Sequence, residues 1–291
     1  MFRNHSYYTP SWGGLFALLL MYFVGLLVAG IVLVALMAIP GDFATTYGTL
    51  ITYPVQFVPI ILYVAAKSRS GSMFLTGYLP DNDNFGRVGG LGAAVAAAFL
   101  TIGAALMTDP LMKVLPEMPE LLEETLKKLT EGPVWLSLLC VSLMAPFFEE
   151  WLCRGVLLRG LLQHTRPVWA ILTSAAFFAF IHMNPWQALP AFVLGCLFGY
   201  VYYKTGSLKL TMLMHCVNNT MAVIISNIPA LKDADSFSEV LPMGQYIALI
   251  VCGALLVAAM VWVFSRIPLS GKRSSCGSVP PFLAQSSESD L

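Results

Sequence analysis

Two adjacent glutamates and an arginine, Glu149, Glu150 and Arg154, interrupt a stretch that otherwise reads as membrane helix. A charge near the bilayer centre costs on the order of 2.5–3.5 kcal/mol by insertion scales, so a chain keeps three together only where they are paired, hydrated or used. Glu150 and Arg154 are four residues apart, share a helical face and can pair. Glu149 is rotated about 100° away and has no such counter-ion on its own helix, which suits a general base or acid. Two later apolar segments carry His182, and His215 with Asn219. His215 and Asn219 are again four apart, and their N–H groups could steady a developing oxyanion. Counted along helices from the 163–167 hairpin, Glu149 and His182 lie roughly 21 and 22 Å in, at one level, and His215 lies roughly 12 Å from Ser207. The plainer readings are an ionic staple for Glu150–Arg154 and interhelical hydrogen bonding for His215–Asn219. They leave Glu149 without a purpose.

These residues need a membrane scaffold. The chain has 291 residues, 57% hydrophobic and 11% charged, against about 25% charged in soluble domains. The expectation is an all-α polytopic membrane protein with about eight transmembrane helices, over residues 13–39, 47–66, 88–107, 134–162, 167–183, 186–203, 207–228 and 244–265. The first segment is too long for a signal-peptide core and lacks a cleavage signature, so it is expected to stay as a span. A net charge of zero offers nothing to nucleic acid and leaves the lipid bilayer as the main partner. With Arg154 assigned to the site, one side of eight spans receives Arg3, Lys67, Arg69, Arg87, Arg159, Arg166, Lys204, Lys209, Arg266, Lys272 and Arg273. The other receives Lys113, Lys127, Lys128 and Lys232. This bias puts both termini in the cytoplasm.

One membrane domain is expected over residues 1–267, with its motif core at 134–228. A Ser-, Pro- and Gly-rich tail over 268–291 reads as disordered. Small residues at 88–107 and the Gly195/Gly199 pair read as sites of close helix contact. Residues 119–131 read as an amphipathic surface helix, either a gate or a solvated connector. Pro146 cannot donate to the Ser142 carbonyl and should kink its helix beside the glutamates. Six cysteines without metal-ligand spacing read as small apolar residues.

No HExxH, GxSxG or GxGD occurs, which removes support for the zincin, serine and aspartyl proteolytic motifs. The ordered set Glu149-Glu150-x-x-x-Arg154, Phe178-x-x-x-His182 and His215-x-x-x-Asn219 instead resembles the three motifs of the CPBP intramembrane protease family. That family includes the type II CAAX prenyl endopeptidases and the bacterial abortive infection membrane proteins. The resemblance covers residues 134–228 and implies an eight-helix bundle that hydrolyses a peptide bond at the membrane. It implies that Glu149 and His182 activate water, that His215 and Asn219 form the oxyanion hole, and that Glu150 and Arg154 hold the site. It implies a membrane-associated peptide or protein as substrate, CAAX-type prenylated or bacteriocin-like, and a bacterial plasma membrane. His182, His215 and Glu149 are also a candidate Zn²⁺ set with one position left for water. A catalytically silent scaffold or immunity protein, and a proton-coupled transporter with a Glu/His relay, are the alternatives.

Overall fold

A polypeptide in hydrocarbon must satisfy its backbone internally, and helices do this within one segment. The computed structural model describes residues 8–70, 85–122, 133–231, 234 and 236–269, and among them the regular elements are helices with no strand. The long ones are α1 (Trp12–Met37), α2 (Phe43–Ser70), α3 (Gly89–Thr108), α4 (Val134–Leu161), α5 (Pro167–Ile181), α6 (Pro185–Thr205), α7 (Leu208–Ser226) and α8 (Met243–Ser265). Short 3₁₀ turns stand at Gly86–Val88, Asp109–Val114 and Phe237–Glu239.

Six of these helices are long and apolar enough to cross a membrane: α1, α2, α3 with its flanking turns, α4, α7 and α8. The chain is therefore an integral membrane protein. The eight-span count does not carry over. Helix α5 has 15 residues, roughly 22 Å of rise against a hydrocarbon core of about 30 Å. Helix α6 is long enough but carries Gln187, three tyrosines and Lys204 among its apolar residues.

The chain divides into two units. The first holds α1, α2 and residues 155–170. Gly25 on α1 lies against α2 so closely that a Cβ would come within 1.9 Å of the Gln56 carbonyl oxygen. The segment before α1 is tied in by three contacts. The Tyr8 N–H donates to Ser68 Oγ at 3.1 Å, Arg159 Nη2 reaches the Tyr8 carbonyl at 3.4 Å, and Pro10 covers Gly160.

The second unit holds α3, α4 as far as Arg154, α5 from Ile171, and α6 to α8. Its core joins Ala93, Ala97, Leu100 and Ala104 of α3 to Leu194, Phe198 and Val201 of α6, Leu210 and Met214 of α7, and Phe264 of α8. The small residues of α3 let neighbouring backbones approach. A Cβ on Gly103 would lie 2.9 Å from the Gly253 carbonyl on α8, and a Cβ on Gly253 would lie 2.9 Å from the Gly103 carbonyl. The Gly195/Gly199 pair has the packing role expected of it. Gly195 lies against Ala175 and Gly199 against Ile171, both on α5. A helical turn begins at Glu120–Leu122, with the Leu122 N–H on the Pro119 carbonyl. The rest of the expected 119–131 helix, and the tail beyond residue 269, lie outside the described residues.

The close α1–α2 contact has a measurable consequence. Gly25→Ala places a methyl group into the Gln56 backbone and should destabilise the protein by about 1–3 kcal/mol through overpacking. A thermal unfolding midpoint in detergent equal to wild type would contradict that contact.

Candidate active site

Helix α4 changes its winding where the charges sit. Two wider π-helical stretches, Leu138–Met144 and Trp151–Leu158, flank the α-helical Ala145–Glu150. In a π turn an N–H reaches back five residues instead of four. The Ala145 N–H accordingly donates to Cys140 O, and Val141 O loses its α-helical donor. The residue that would serve Val141 O in the wider register is Pro146, which has no N–H. Asn219 Nδ2 on α7 takes the position and donates to Val141 O at 2.8 Å. The sequence suggests a kink at the Ser142 carbonyl. The widened helix instead frees the Val141 carbonyl, and α7 uses it.

Arg154 is the centre of the charged cluster. It is fully buried, as is Glu150. Arg154 Nη1 donates to Glu150 Oε1 at 2.6 Å, as their spacing predicts. Nη2 donates to the Gly195 carbonyl at 3.0 Å, and a Cβ at Gly195 would crowd that nitrogen at 3.4 Å. The guanidinium also lies over the Phe178 ring (4.7 Å to its centroid) and near the Phe198 ring (5.4 Å). Cation–π contact of this kind strengthens as water is removed. Beside it, Ser174 Oγ on α5 donates to the Cys153 carbonyl at 2.9 Å.

Helix α7 brings the histidine. Helix α6 stops at Gly206, whose φ of +66° glycine adopts without strain. Ser207 then caps α7 by accepting the Leu210 N–H. Two turns further in, His215 Nδ1 lies 3.1 Å from Glu150 Oε1. A carboxylate already bound by arginine accepts, so Nδ1 is the donor and Nε2 is the atom left for other work. Nε2 stands 3.9 Å from Glu149 Oε2, with His215 buried and the Glu149 side chain 14% exposed. Asn219 follows one turn later. Its Oδ1 accepts from Asn218 Nδ2 at 3.1 Å, which fixes the amide orientation and leaves Nδ2 with a second hydrogen beyond the one on Val141 O.

His182 enters from the α5–α6 junction. Its Nδ1 lies 2.8 Å from the Phe178 carbonyl. A carbonyl only accepts, so Nδ1 carries the proton and Nε2 holds the lone pair. The turn behind it is fixed tightly. Met183 adopts a φ of +56°, a left-handed conformation uncommon for such a side chain. Asn184 caps α6 through Gln187 N at 2.8 Å and donates Nδ2 to the His182 carbonyl at 3.0 Å. The Phe178 ring packs edge-on against both imidazoles, 4.9 Å from His182 and 5.3 Å from His215 between centroids. The helix count leaves His215 shallower than its partners, yet it meets the same aromatic ring as His182.

Glu149, Glu150, Arg154 and His215 thus form one contact network, Phe178 joins His182 to it, and Asn219 ties α7 to α4 separately at the Val141 carbonyl. Sequence reasoning misses the Val141 carbonyl, Asn184, Asn218, Ser174 and Phe198. Only Asn184 carries a readable signal, because Asn before Pro185 is a cap followed by a first-turn proline. Asn218 stands about 100° round the helix from Asn219, and its reach to that side chain depends on a side-chain rotamer.

The expected zinc set does not fit this geometry. Among the described residues no three His, Cys, Asp or Glu side chains converge closely enough to hold a metal ion. The cysteines of the described residues are free thiols.

Residues 131–221 match a family model, Type II CAAX prenyl endopeptidase Rce1-like. The matched family is a protease family, consistent with the CPBP motifs. The matched range spans every member of the cluster from Val141 to Asn219. No curated protein and no solved structure matches the chain.

Arg154→Ala would strand the Glu150 carboxylate in a buried site, and the expected cost is about 3–5 kcal/mol. Arg154→Lys keeps the charge but cannot hold Glu150 and the Gly195 carbonyl in one planar fork. It should fall between the two in thermal unfolding in detergent. An alanine variant as stable as wild type would refute the role of the pair.

Proposed function

We propose that the chain is an intramembrane endopeptidase that hydrolyses a peptide bond of a membrane-associated peptide or protein. The observation that carries this reading is the placement of two imidazoles, each oriented at Nδ1, with His215 against both Glu149 and Glu150, within the range matched by a protease family. A scaffold needs a buried ion pair. It has no use for two histidines with oriented Nε2 atoms and a partly exposed glutamate beside one of them.

In this reading Glu149 takes the proton of the attacking water, and His182 assists through the lone pair on Nε2. Glu150 holds His215 at Nδ1 and Arg154 holds Glu150, so the imidazole ring is fixed in place. His215 and the second hydrogen of Asn219 Nδ2 then line the oxyanion hole, a preorganised arrangement of the kind that gives acyl-transfer enzymes much of their rate. The proton held by Glu149 passes to the leaving amine. Hydrolysis balances with water alone.

The finer assignments follow the same reading. Residues 1–267 form the membrane domain, both termini face the cytoplasm by the loop-charge bias, and the membrane is a bacterial plasma membrane. Substrates of CAAX-type prenylated or bacteriocin-like chemistry suit a site set among membrane helices.

A quenched peptide library with purified protein in detergent tests the reaction. Glu149→Gln preserves shape and removes the base, so cleavage should fall at least 100-fold with an unchanged unfolding midpoint. Wild-type cleavage should survive a chelator. Activity lost to the chelator would return His182 and His215 to a metal role. Activity retained in Glu149→Gln would sink the reading.

Pro146→Ala restores a backbone donor beneath the Val141 carbonyl. It should release Asn219 and lower kcat more than it raises KM, because the oxyanion donors act in the transition state. Equal kcat in the variant would separate the proline from catalysis.

A further inference from the structure

A second site lies at one end of the α3–α8 pair. These helices run antiparallel, with Gly103 against Gly253 in the middle and Gly86 against Pro268 at the end. That register brings Arg87, just before α3, beside Arg266, just after α8. They line a cleft of about 590 Å³ with Gly86, Val88, Trp262 and Pro268. The Arg266 guanidinium stacks on Trp262, 4.8 Å from the ring centroid, and the indole is 58% exposed. Lys204 adds a third cation close by, with Nζ 3.3 Å from the Ser265 carbonyl. Among the described residues neither Arg87 nor Arg266 has a carboxylate partner.

The placement identifies what such a cleft would take. Both helices are membrane spans, so residues bordering their ends stand at the boundary between hydrocarbon and water. Exposed tryptophan belongs at headgroup level, and basic clefts between spans suit anionic headgroups. Guanidinium groups bind phosphate oxygens in a fork, two at a time. Stacking on Trp262 holds one fork in place before any ligand arrives. The loop-charge bias assigns both arginines to the cytoplasmic side, where the anionic lipids of a membrane concentrate their charge.

We propose that the Arg87–Trp262–Arg266 cleft binds the phosphate of an anionic lipid headgroup. The lipid would bridge the ends of α3 and α8, and its acyl chains would lie along the exposed apolar face of α8 that includes Leu255 and Trp262. The site does not depend on the proteolytic reading.

The test counts ligands retained by the purified full chain in non-ionic detergent by native mass spectrometry. Short-chain phosphatidylglycerol, phosphatidylcholine and inorganic phosphate are titrated separately. Phosphatidylglycerol should be retained at least ten-fold more tightly than phosphatidylcholine. R87Q/R266Q should abolish that preference, and R87K/R266K, which keeps the charge without the fork, should retain part of it. Equal retention of the two lipids, or a preference that survives in R87Q/R266Q, would overturn the proposal. So would saturation by inorganic phosphate with no further gain from the lipid. The unfolding midpoint of each variant without lipid verifies folding. Should R87Q/R266Q fold poorly, loss of the preference in well-folded R87K/R266K would count against the site.

Discussion

Everything at the candidate site hangs on a guanidinium that water does not reach. Arg154 has no exposed surface and still places its groups against partners on two other helices. Desolvating an arginine is expensive, and partners for its terminal nitrogens and its flat faces offset the cost. Glu150 supplies the opposite charge, the Gly195 carbonyl an acceptor, and Phe178 and Phe198 two aromatic faces. Each partner is constrained in return. Glu150 is fixed by Arg154 and so can orient His215. Phe178 is fixed under Arg154 and so presents an edge to both imidazoles. Gly195 must stay small because a Cβ there would come within 3.1 Å of Ala175 on α5.

A backbone defect provides the second constraint. The π-helical stretch before Pro146 displaces one hydrogen bond, and the proline ensures that the Val141 carbonyl cannot recover a donor within its own helix. A buried carbonyl without a partner is costly, so Asn219 is drawn onto it. Strain within one helix thereby becomes a positional tie between α4 and α7. Asn218, bonded to Asn219, completes the tie by choosing which way the amide points. The oriented amide and the oriented histidine both sit on α7, and α4 holds both, one through a carboxylate and one through a carbonyl.

Periodicity and spacing made a good part of this legible. Glu150 with Arg154, and His215 with Asn219, are readable as pairs because a helix puts residues four apart on one face. The cost of charge in hydrocarbon singles out Glu149, Glu150 and Arg154 without any structure. Small residues on α3 and α6 announce close packing, and Gly103 and Gly195 are found there. The limits are physical too. Whether an apolar segment counts as a span depends on length, in which α5 falls short, and on hydropathy, which the polar residues of α6 lower. Whether a proline kinks a helix or widens it depends on how neighbouring turns relax.

By itself, the amino-acid order determined an all-helical membrane chain, the pairing of Glu150 with Arg154, and the residue types available for acid–base work, because these follow from local geometry and from the energetics of burial. Tertiary structure alone decided that His215 Nε2 lies 3.9 Å from Glu149, that both imidazoles meet one phenylalanine, and that Val141 offers its carbonyl to Asn219. Those choices depend on the rotation and depth of one helix against another. Such packing is set by many weak contacts between segments distant in sequence, and no single segment's pattern encodes it.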